Sequence, residues 1–257
     1  MIMSRIPIGL QLYTVREQLA EDACGTIKAV AAMGYEGVEG GAPAGMTNKA
    51  FLELLADNGL KLASGGVNPK ELREALQAVV DRCGELGIDT VMTGIGGELH
   101  GAGGDWKRVV ADLAEGCAKA AQAGLRVLYH NHAFEFEQKV DGVYGLDYLL
   151  DTIPATDIQT ELDTYWVKTG GEDPVAYLNK YAGRLPRLHL KDRAPAPADE
   201  TCPFAEVGQG ILDWDGIFAA APGAGVEWYL VEQDQWTRPP LESARMSADY
   251  LKSRGLL

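Results

Sequence analysis

The sequence has no glycine-rich phosphate loop, no closely spaced cysteine pair and no apolar run long enough to cross a membrane. The first predicted strand is followed by TVREQ, without the G-x-G-x-x-G turn of a dinucleotide-binding fold. The four cysteines lie far apart, so we expect free thiols and no zinc knuckle: Cys24, Cys83, Cys117 and Cys202. The early apolar run is too short for a signal peptide, so a cytoplasmic location is expected.

Positive charge is also scarce. The 257 residues include 23 Lys and Arg against 37 Asp and Glu, a formal net charge of −14. Such a field repels polyanions, so neither nucleic acid nor an anionic membrane surface is an expected partner. The 46% hydrophobic residues and 31 glycines are typical of a globular protein with a large core. We predict one domain over residues 1–257.

Eight short apolar runs along the chain have the character of buried strands. They are IGLQLY from residue 8, YEGVEG from 35, LKLASGGV from 60, DTVMTGI from 89, RVLYHNH from 126, DIQTELD from 157, PRLHLKD from 186 and VEWYLVE from 226. The segments between them have helical periodicity, as in TNKAFLELLADNG, PKELREALQAVVDRCGELG and DWKRVVADLAEGCAKAAQAG. Thr47 and Asp105 are predicted N-caps, and Gly59, Gly87 and Gly124 are placed to end helices.

The alternation of strands and helices indicates a parallel sheet, because parallel strands need long crossover connections. Eight such units close most simply into a single (β/α)₈ barrel, an α/β fold. An open doubly wound sheet is the alternative, and the missing glycine-rich loop disfavours it. The Pro-rich stretch RAPAPADETCPFAEVGQG, from residue 193, predicts a long loop after the seventh strand. Long loops in compact domains are often functional.

Polar side chains concentrate where strands five to eight end, which in such a barrel is the functional face. Residues two apart on a strand share a face. Asp163, His189 and Glu232, at the ends of three neighbouring strands, would therefore converge if they point inward. A mixed set of carboxylate and imidazole donors suits Mn²⁺, Co²⁺, Zn²⁺ or Mg²⁺. A fourth ligand would come from strand five, which ends in YHNHAFEF.

Several other polar and aromatic residues have two interpretations. Glu161 lies one pair deeper than Asp163, so direct coordination and a buried role in orienting a ligand are equally consistent with its position. Lys191 either pairs with a carboxylate or binds a substrate oxygen. Trp166 and Tyr13 either pack in the core or stack on a sugar face. His100, in the loop GELHGAGGD, is predicted to lie on the surface or in a lid.

These segments together resemble the sugar isomerase/epimerase superfamily of xylose isomerase-like TIM barrels, a group that includes inosose dehydratases, ketose 3-epimerases and endonuclease IV. The resemblance rests on seven segments in order: IGLQLYTVRE, GYEGVEGG, YHNHAFEF, ELDTYWVKTGGEDP, RLPRLHLKDR, EVGQGILDW and YLVEQD. They extend over nearly the whole chain. Each segment alone is weak, and the set is specific for the superfamily but not for a substrate.

The resemblance implies one metal ion held by Glu, Asp, His and Glu from strands five to eight. The last three positions correspond to Asp163, His189 and Glu232. Strand five departs from this pattern, since His130 stands where many relatives have glutamate. His130 is then the expected fourth ligand, with Glu135 folding back as the alternative. Mn²⁺ is the preferred metal, with Co²⁺, Zn²⁺ or Mg²⁺ as alternatives.

The implied chemistry is removal of a proton beside a carbonyl of a keto or aldo sugar or a cyclitol, with the metal stabilising the enediolate. Glu232 or Glu135 is the expected base, and Lys191 and His132 are expected to bind oxygen or relay protons. Weaker candidates for substrate contact complete the predicted site: Gln11, Glu39, Glu161 and Trp166.

Three outcomes remain open from the sequence. A metal-dependent isomerase or epimerase is the first expectation, and a lyase or dehydratase acting on a 3-oxo sugar or inosose is the second. Replacement of the strand-five glutamate by His130 argues against the two-carboxylate proton shuttling of the epimerases and makes elimination a real rival to the first expectation. The third outcome is a barrel that binds a sugar without turnover or serves as a non-catalytic accessory subunit. Four histidines and the acidic balance disfavour the endonuclease relative. A homodimer is expected only by analogy with similar barrels.

Overall fold

The computed structural model describes residues 5–96, 104–195 and 202–257. Eight strands form a closed barrel in which every neighbouring pair is parallel, and β1 closes the ring by pairing with β8. The barrel strands are β1 Ile8–Gln11, β2 Gly37–Glu39, β3 Lys61–Gly66, β4 Thr90–Thr93, β5 Arg126–His130, β6 Gln159–Asp163, β7 Arg187–Leu190 and β8 Trp228–Val231. This confirms the predicted (β/α)₈ fold and all eight predicted strand segments.

Helices surround the barrel. They are α1 Arg16–Glu21, α2 Ala23–Ala32, α3 Asn48–Asp57, α4 Pro69–Glu74, α5 Leu76–Leu86, α6 Trp106–Gln122, α7 Gly145–Thr152, α8 Thr164–Thr169, α9 Pro174–Lys180, α10 Trp214–Ala224 and α11 Pro240–Ser253. The predicted caps are confirmed, since Thr47 accepts a hydrogen bond from Ala50 N and Asp105 accepts one from Arg108 N. α5 ends at Gly87 in the left-handed conformation, with φ 63°, as glycine permits.

One predicted helix is in fact two. The backbone leaves the helical region at Ala75, with φ −138° and ψ 33°, so residues 69–86 form α4 and α5 with a bend between them. α4 packs closely on α6 at Gly116, where a Cβ would lie 3.0 Å from the Cβ of Leu72. The bend lets α4 follow α6 while α5 packs on α3, an arrangement that helical periodicity alone does not reveal.

Two short antiparallel ribbons lie at the mouth of the barrel. Lys139–Val140 pairs with Val143–Tyr144 through an Asp-Gly turn, and Asp192–Arg193 pairs with Phe204–Ala205. The second ribbon forms the base of the long loop predicted after strand seven. The centre of that loop, residues 196–201, and the predicted lid residue His100 lie outside the described residues.

The interior of the barrel is filled by side chains from alternating strand positions. Gly37 on β2 is required by this packing, because a Cβ there would lie 2.8 Å from the Trp228 ring. The four cysteines, all within the described part of the chain, are free, as expected. No helix within residues 5–96, 104–195 and 202–257 is both long and apolar enough to cross a bilayer.

Asp192 anchors the chain that returns after the long loop. Its buried carboxylate accepts hydrogen bonds from the backbone N–H groups of Gly208 (3.0 Å), Gly210 (3.0 Å) and Leu212 (3.3 Å), and from Trp214 Nε1 (2.7 Å). Several donors therefore depend on one acceptor.

Asp192→Ala is expected to lower the free energy of unfolding by about 3 kcal/mol, because it leaves buried donors without an acceptor. Urea denaturation at pH 7 measures this difference. Asp213→Asn is the matched control, since Asn also caps the start of α10, where Asp213 accepts from Gly216 N. A loss no larger in the alanine variant than in the control would contradict the anchoring role.

Candidate metal centre

Four buried side chains converge at the ends of β5 to β8. One ligand atom from each of His130, Asp163, His189 and Glu232 lies within 4.8 Å of every other. His189 Nδ1 lies 2.9 Å from Glu232 Oε2 and 4.0 Å from Asp163 Oδ2. His130 Nε2 lies 3.8 Å from the same Asp163 oxygen. These four residues, here called the outer cluster, are the predicted ligand set.

A second group lies deeper in the barrel, around the other nitrogen of His189. His189 Nε2 lies 2.8 Å from Glu39 Oε1 and 3.0 Å from Glu161 Oε1. Glu161 Oε1 also lies 3.2 Å from His130 Nδ1. Ser64 Oγ donates to Glu39 Oε2, and Gln11 Nε2 donates to Glu39 Oε1 at 2.8 Å. Glu39, Glu161 and His189 form the inner cluster, which also has metal-ligating composition.

Lys191 supplies a buried positive charge beside the outer cluster. Its Nζ lies 2.7 Å from Asp234 Oδ1, 3.0 Å from Glu232 Oε2 and 3.5 Å from Asp163 Oδ2. Burial lowers the pKa of Lys191, but these three carboxylates outweigh burial and hold the pKa above its usual value. Lys191 is therefore charged at neutral pH.

The residues of the outer cluster fit a divalent metal ion. Asp163 Oδ2 is buried and takes part in no hydrogen bond with the described residues. Nitrogen and carboxylate oxygen donors at this spacing suit a transition metal ion. The inner carboxylates would then orient His189 and His130 through the ring nitrogens that face them.

The ionisation of the inner cluster follows from burial and charge. Burial, with the neighbouring Glu161 charge, raises the pKa of Glu39 to about 7. Burial also works to raise the pKa of Glu161, but the charge of His189 and a hydrogen bond with His130 outweigh it and lower that pKa below its usual value. The carboxylates of Glu161 and Glu232 raise the pKa of His189 well above its usual value, although burial opposes them.

A cavity of about 750 Å³ opens onto the outer cluster. Its polar end is formed by Gln11, His130, His132, Lys191, Glu232 and Asp234. The opposite wall is formed by glycines at the ends of β2, β3 and β4 and by apolar residues of β4, its flanking segments and the end of α5. A concave site with a few converging polar groups is typical of small-molecule binding.

The structure places the remaining predicted residues at different depths. Glu39 and Glu161 are fully buried beneath His189 and do not line the cavity. Trp166 packs on the His132 ring, with centroids 5.4 Å apart, and Lys191 Nζ lies 5.1 Å from the Trp166 ring centroid. Glu135 is fully buried behind His132 and is not part of either cluster.

Sequence reasoning under-rated two acidic residues. It gave Glu39 as a weaker candidate for substrate contact, whereas the Glu39 carboxylate lies across the barrel against His189. It did not assign Asp234, which pairs with Lys191 and lines the cavity. The signal for Asp234 was present, because it follows Glu232 by two positions at the end of the same strand. Ser64, the hydroxyl donor to Glu39, had no local signal.

Glu135 carries a pH-dependent prediction. Its carboxylate accepts hydrogen bonds from Tyr129 Oη (2.8 Å) and His132 N (2.9 Å), yet burial raises its pKa to about 7. A carboxyl group with a raised pKa in the folded state favours folding at low pH, and this contribution is lost as pH rises from about 4.5 to 7. Glu135→Gln keeps both contacts available and removes the titration, because the amide oxygen accepts from His132 N and the amide donates to Tyr129.

The variant and the wild type are therefore expected to have similar stability at pH 5, and the variant to be more stable by roughly 2–3 kcal/mol at pH 8. Urea unfolding at pH 5, 6, 7 and 8 measures the difference. Glu137→Gln, at an exposed position in the same loop, is the control and should not alter the profile. Parallel curves for the wild type and Glu135→Gln would contradict the prediction.

A family model described as the xylose isomerase-like TIM barrel matches residues 27–254. Inosose dehydratases are among the curated relatives. The one from Geobacillus thermodenitrificans is 26% identical over 263 residues, covering 88% of this chain and 87% of the relative. The one from Lacticaseibacillus casei is 26% identical over 168 residues, and that match spans about half of the relative, 55%.

Solved structures are similar over nearly the whole chain. A sugar phosphate isomerase/epimerase from Parabacteroides distasonis is 25% identical, with a TM-score of 0.82 and 98% of this chain and 99% of that chain covered. The IolI protein with a bound zinc atom has a TM-score of 0.75 at 14% identity, covering 98% of both chains. An L-ribulose 3-epimerase has a TM-score of 0.71 at 18% identity, covering 99% of this chain and 95% of that chain. At 14% and 18% identity, the IolI protein and the L-ribulose 3-epimerase show a shared fold alone.

Proposed function

The chain belongs to the xylose isomerase-like TIM barrel family, and from this premise we propose that it is a metal-dependent enzyme that removes a proton beside the carbonyl of a keto sugar or cyclitol. The observation that carries the proposal is the outer cluster, whose four ligand-type side chains meet beside a cavity of about 750 Å³. His130, Asp163, His189 and Glu232 would hold the ion, with Mn²⁺ as the preferred candidate. When bound, the ion polarises the substrate carbonyl and stabilises negative charge on its oxygen.

The chain's own residues divide the remaining work. Glu232 lines the cavity and is the proposed proton acceptor. Lys191, held charged by Asp163, Glu232 and Asp234, is the proposed donor to a substrate oxygen. His132 lines the same end of the cavity and is the proposed proton relay. Glu135 lies behind His132, which supports a role in positioning that segment rather than direct proton transfer.

Two reaction outcomes follow from this step. Return of the proton to another carbon or to the opposite face gives isomerisation or epimerisation. If a hydroxyl group lies β to the carbonyl, its C–O bond breaks instead. The hydroxyl group takes the proton donated by Lys191 and leaves as water, and a carbon–carbon double bond forms. We place this dehydration first, because the wall at β5 presents His130 in place of a carboxylate, and because inosose dehydratases are relatives along most of the chain.

Solvent-proton exchange tests the proposal. The Mn²⁺-loaded protein in D₂O is expected to place deuterium at the carbon beside the carbonyl of an inosose or a keto hexose. Proton NMR follows the exchange, and ultraviolet absorbance of the conjugated ketone reports dehydration. Glu232→Gln should abolish both signals, whereas Asp213→Asn, at the start of α10, should keep them. A metal-loaded protein that exchanges no proton in any keto sugar or cyclitol would favour a sugar-binding barrel. The cytoplasmic location and the homodimer stay predictions.

A further inference from the structure

The cavity has two unlike walls. The ends of strands β5 to β8 contribute the charged and imidazole side chains, whereas the wall formed at the ends of β2, β3 and β4 has no side chain at six positions: Gly40, Gly41, Gly65, Gly66, Gly94 and Gly96. At Gly41, Gly66 and Gly96 no atom of the described residues lies within 4 Å of the place where a Cβ would be. The space beside the metal centre is therefore open toward β2 to β4.

The side chains behind this glycine wall are mainly apolar. Leu86, Ile88, Val91, Met92 and Ile95 all line the cavity on this side. Two polar residues of the same side are already engaged. Arg82 pairs with Glu71 at 3.0 Å, and Asn48 donates to Glu85 at 2.8 Å. The chemistry of this end fits an apolar group.

The volume exceeds what one sugar ring needs. A hexose has about twelve non-hydrogen atoms, and even if each took the ~30 Å³ share of a liquid water, the ring would fill only about half of the cavity. Pockets of several hundred Å³ usually enclose larger ligands. Because the polar groups lie at one end, the ring would sit there and leave the glycine-walled end for another part of the substrate.

An exposed aromatic ring also lines this cavity. Tyr13 lines it and is 52% exposed, although it is a large hydrophobic residue. The Arg16 guanidinium lies 4.0 Å from the Tyr13 ring centroid and 4.5 Å from that of Trp236, which holds the Tyr13 ring in place from one side. A supported aromatic face of this kind suits stacking against a flat group.

We propose that the substrate carries an apolar, ring-sized substituent, such as the aglycone of a glycoside, and that the glycine wall at the ends of β2, β3 and β4 forms the subsite for it. This inference rests on the proposed function, because it takes the sugar or cyclitol ring to lie at the metal centre. The glycine wall, which has no role in the proton transfer, would determine the size and polarity of the substituent that the enzyme accepts.

Isothermal titration of the Mn²⁺-loaded protein tests the subsite with phenyl and methyl glucopyranosides, each as the α and β anomer. A phenyl glucoside of at least one anomer is expected to bind at least about tenfold more tightly than its methyl counterpart, because the aryl ring leaves water. Gly66→Phe is expected to reduce this preference to within about twofold, because the new side chain occupies the subsite. Gly41→Leu fills the same space from β2 if the first variant does not fold.

Gly223→Phe is the matched control. Gly223 lies on an exposed part of α10, with nothing within 4 Å of its Cβ position, and the preference for phenyl should persist there. Equal binding of phenyl and methyl glucosides, binding of neither, or a preference that survives both Gly66→Phe and Gly41→Leu would overturn the inference. Titration measures binding and does not depend on turnover. If the protein prefers phenyl glucosides as expected but catalyses no solvent-proton exchange, the subsite is supported and the proposed function is refuted.

Discussion

Mn²⁺ is expected to bind at one ion per chain, and Asp163→Asn to weaken that binding by more than about a hundredfold. The reason is the position of Asp163 Oδ2, a buried carboxylate oxygen that has no hydrogen bond among the described residues and lies within 4.0 Å of nitrogens of His130, His189 and Lys191. Loss of a residue that only orients a ligand commonly costs 10–100-fold in affinity, so loss of a ligand should cost more. Plasma mass spectrometry of the purified protein and isothermal titration with Mn²⁺ measure stoichiometry and affinity.

The same experiment distinguishes the outer cluster from the inner one. Glu161→Gln removes an inner carboxylate and is expected to reduce affinity by only about 10–100-fold, because Glu161 orients His130 and His189. A larger loss in Glu161→Gln than in Asp163→Asn would place the ion on Glu39, Glu161 and the Nε2 side of His189. Asp213→Asn, at the N-cap of α10 and in neither cluster, controls for the loss of one carboxylate. Wild-type protein that takes up no ion would refute the site.

Lys191→Met is expected to lower the free energy of unfolding of the protein without added metal by roughly 3–5 kcal/mol. Methionine fills much of the same space, so the expected loss is mainly electrostatic. Lys191 is buried, and its ammonium group faces Asp163, Glu232 and Asp234. Removing this cation takes the neighbouring positive charge from two buried carboxylates, Asp163 and Glu232, and from the partly exposed carboxylate of Asp234.

Excess Mn²⁺ should then recover part of the loss, because the ion would neutralise two of the same carboxylates, Asp163 and Glu232. Binding to the folded state alone contributes about 2.7 kcal/mol at one hundred times Kd, and the variant should gain more than the wild type. Urea denaturation with Mn²⁺ or with EDTA gives both differences. Lys107→Met is the control, since Lys107 pairs with Asp141 at 2.8 Å with both side chains more than half exposed, and its loss should leave the free energy of unfolding nearly unchanged. If Mn²⁺ does not reduce the loss of unfolding free energy in Lys191→Met, Lys191 does not interact with the metal centre.

The outer cluster illustrates a site that local sequence can reveal. His130, Asp163, His189 and Glu232 each stand at the end of a strand, and consecutive parallel strands place their carboxyl ends side by side. Strand periodicity and topology were therefore enough to predict that Asp163, His189 and Glu232 converge, whereas the assignment of His130 as the strand-five member came from the family resemblance. The same reasoning predicted the eight strands, because a buried parallel strand is a short apolar run between helices.

The inner cluster could not be obtained in this way. Glu39 and His189 lie 150 positions apart, on β2 and β7, which are not neighbours in the barrel. Their 2.8 Å contact depends on the diameter and stagger of the closed sheet, which no local pattern encodes. The bend at Ala75 is similar, since the close approach of α4 to α6 decided it.

By itself, the sequence determined the (β/α)₈ architecture and the residue types gathered at the ends of β5 to β8, because both follow from periodicities of two and 3.6 residues and from parallel connection. Only the tertiary structure decided how deep each side chain lies. Closure of the barrel turned one nitrogen of His189 toward Glu39 and the other toward Glu232, buried Glu135 behind His132, and left the glycine wall open. Depth and separation across the interior are properties of the closed ring, and no single strand contains them.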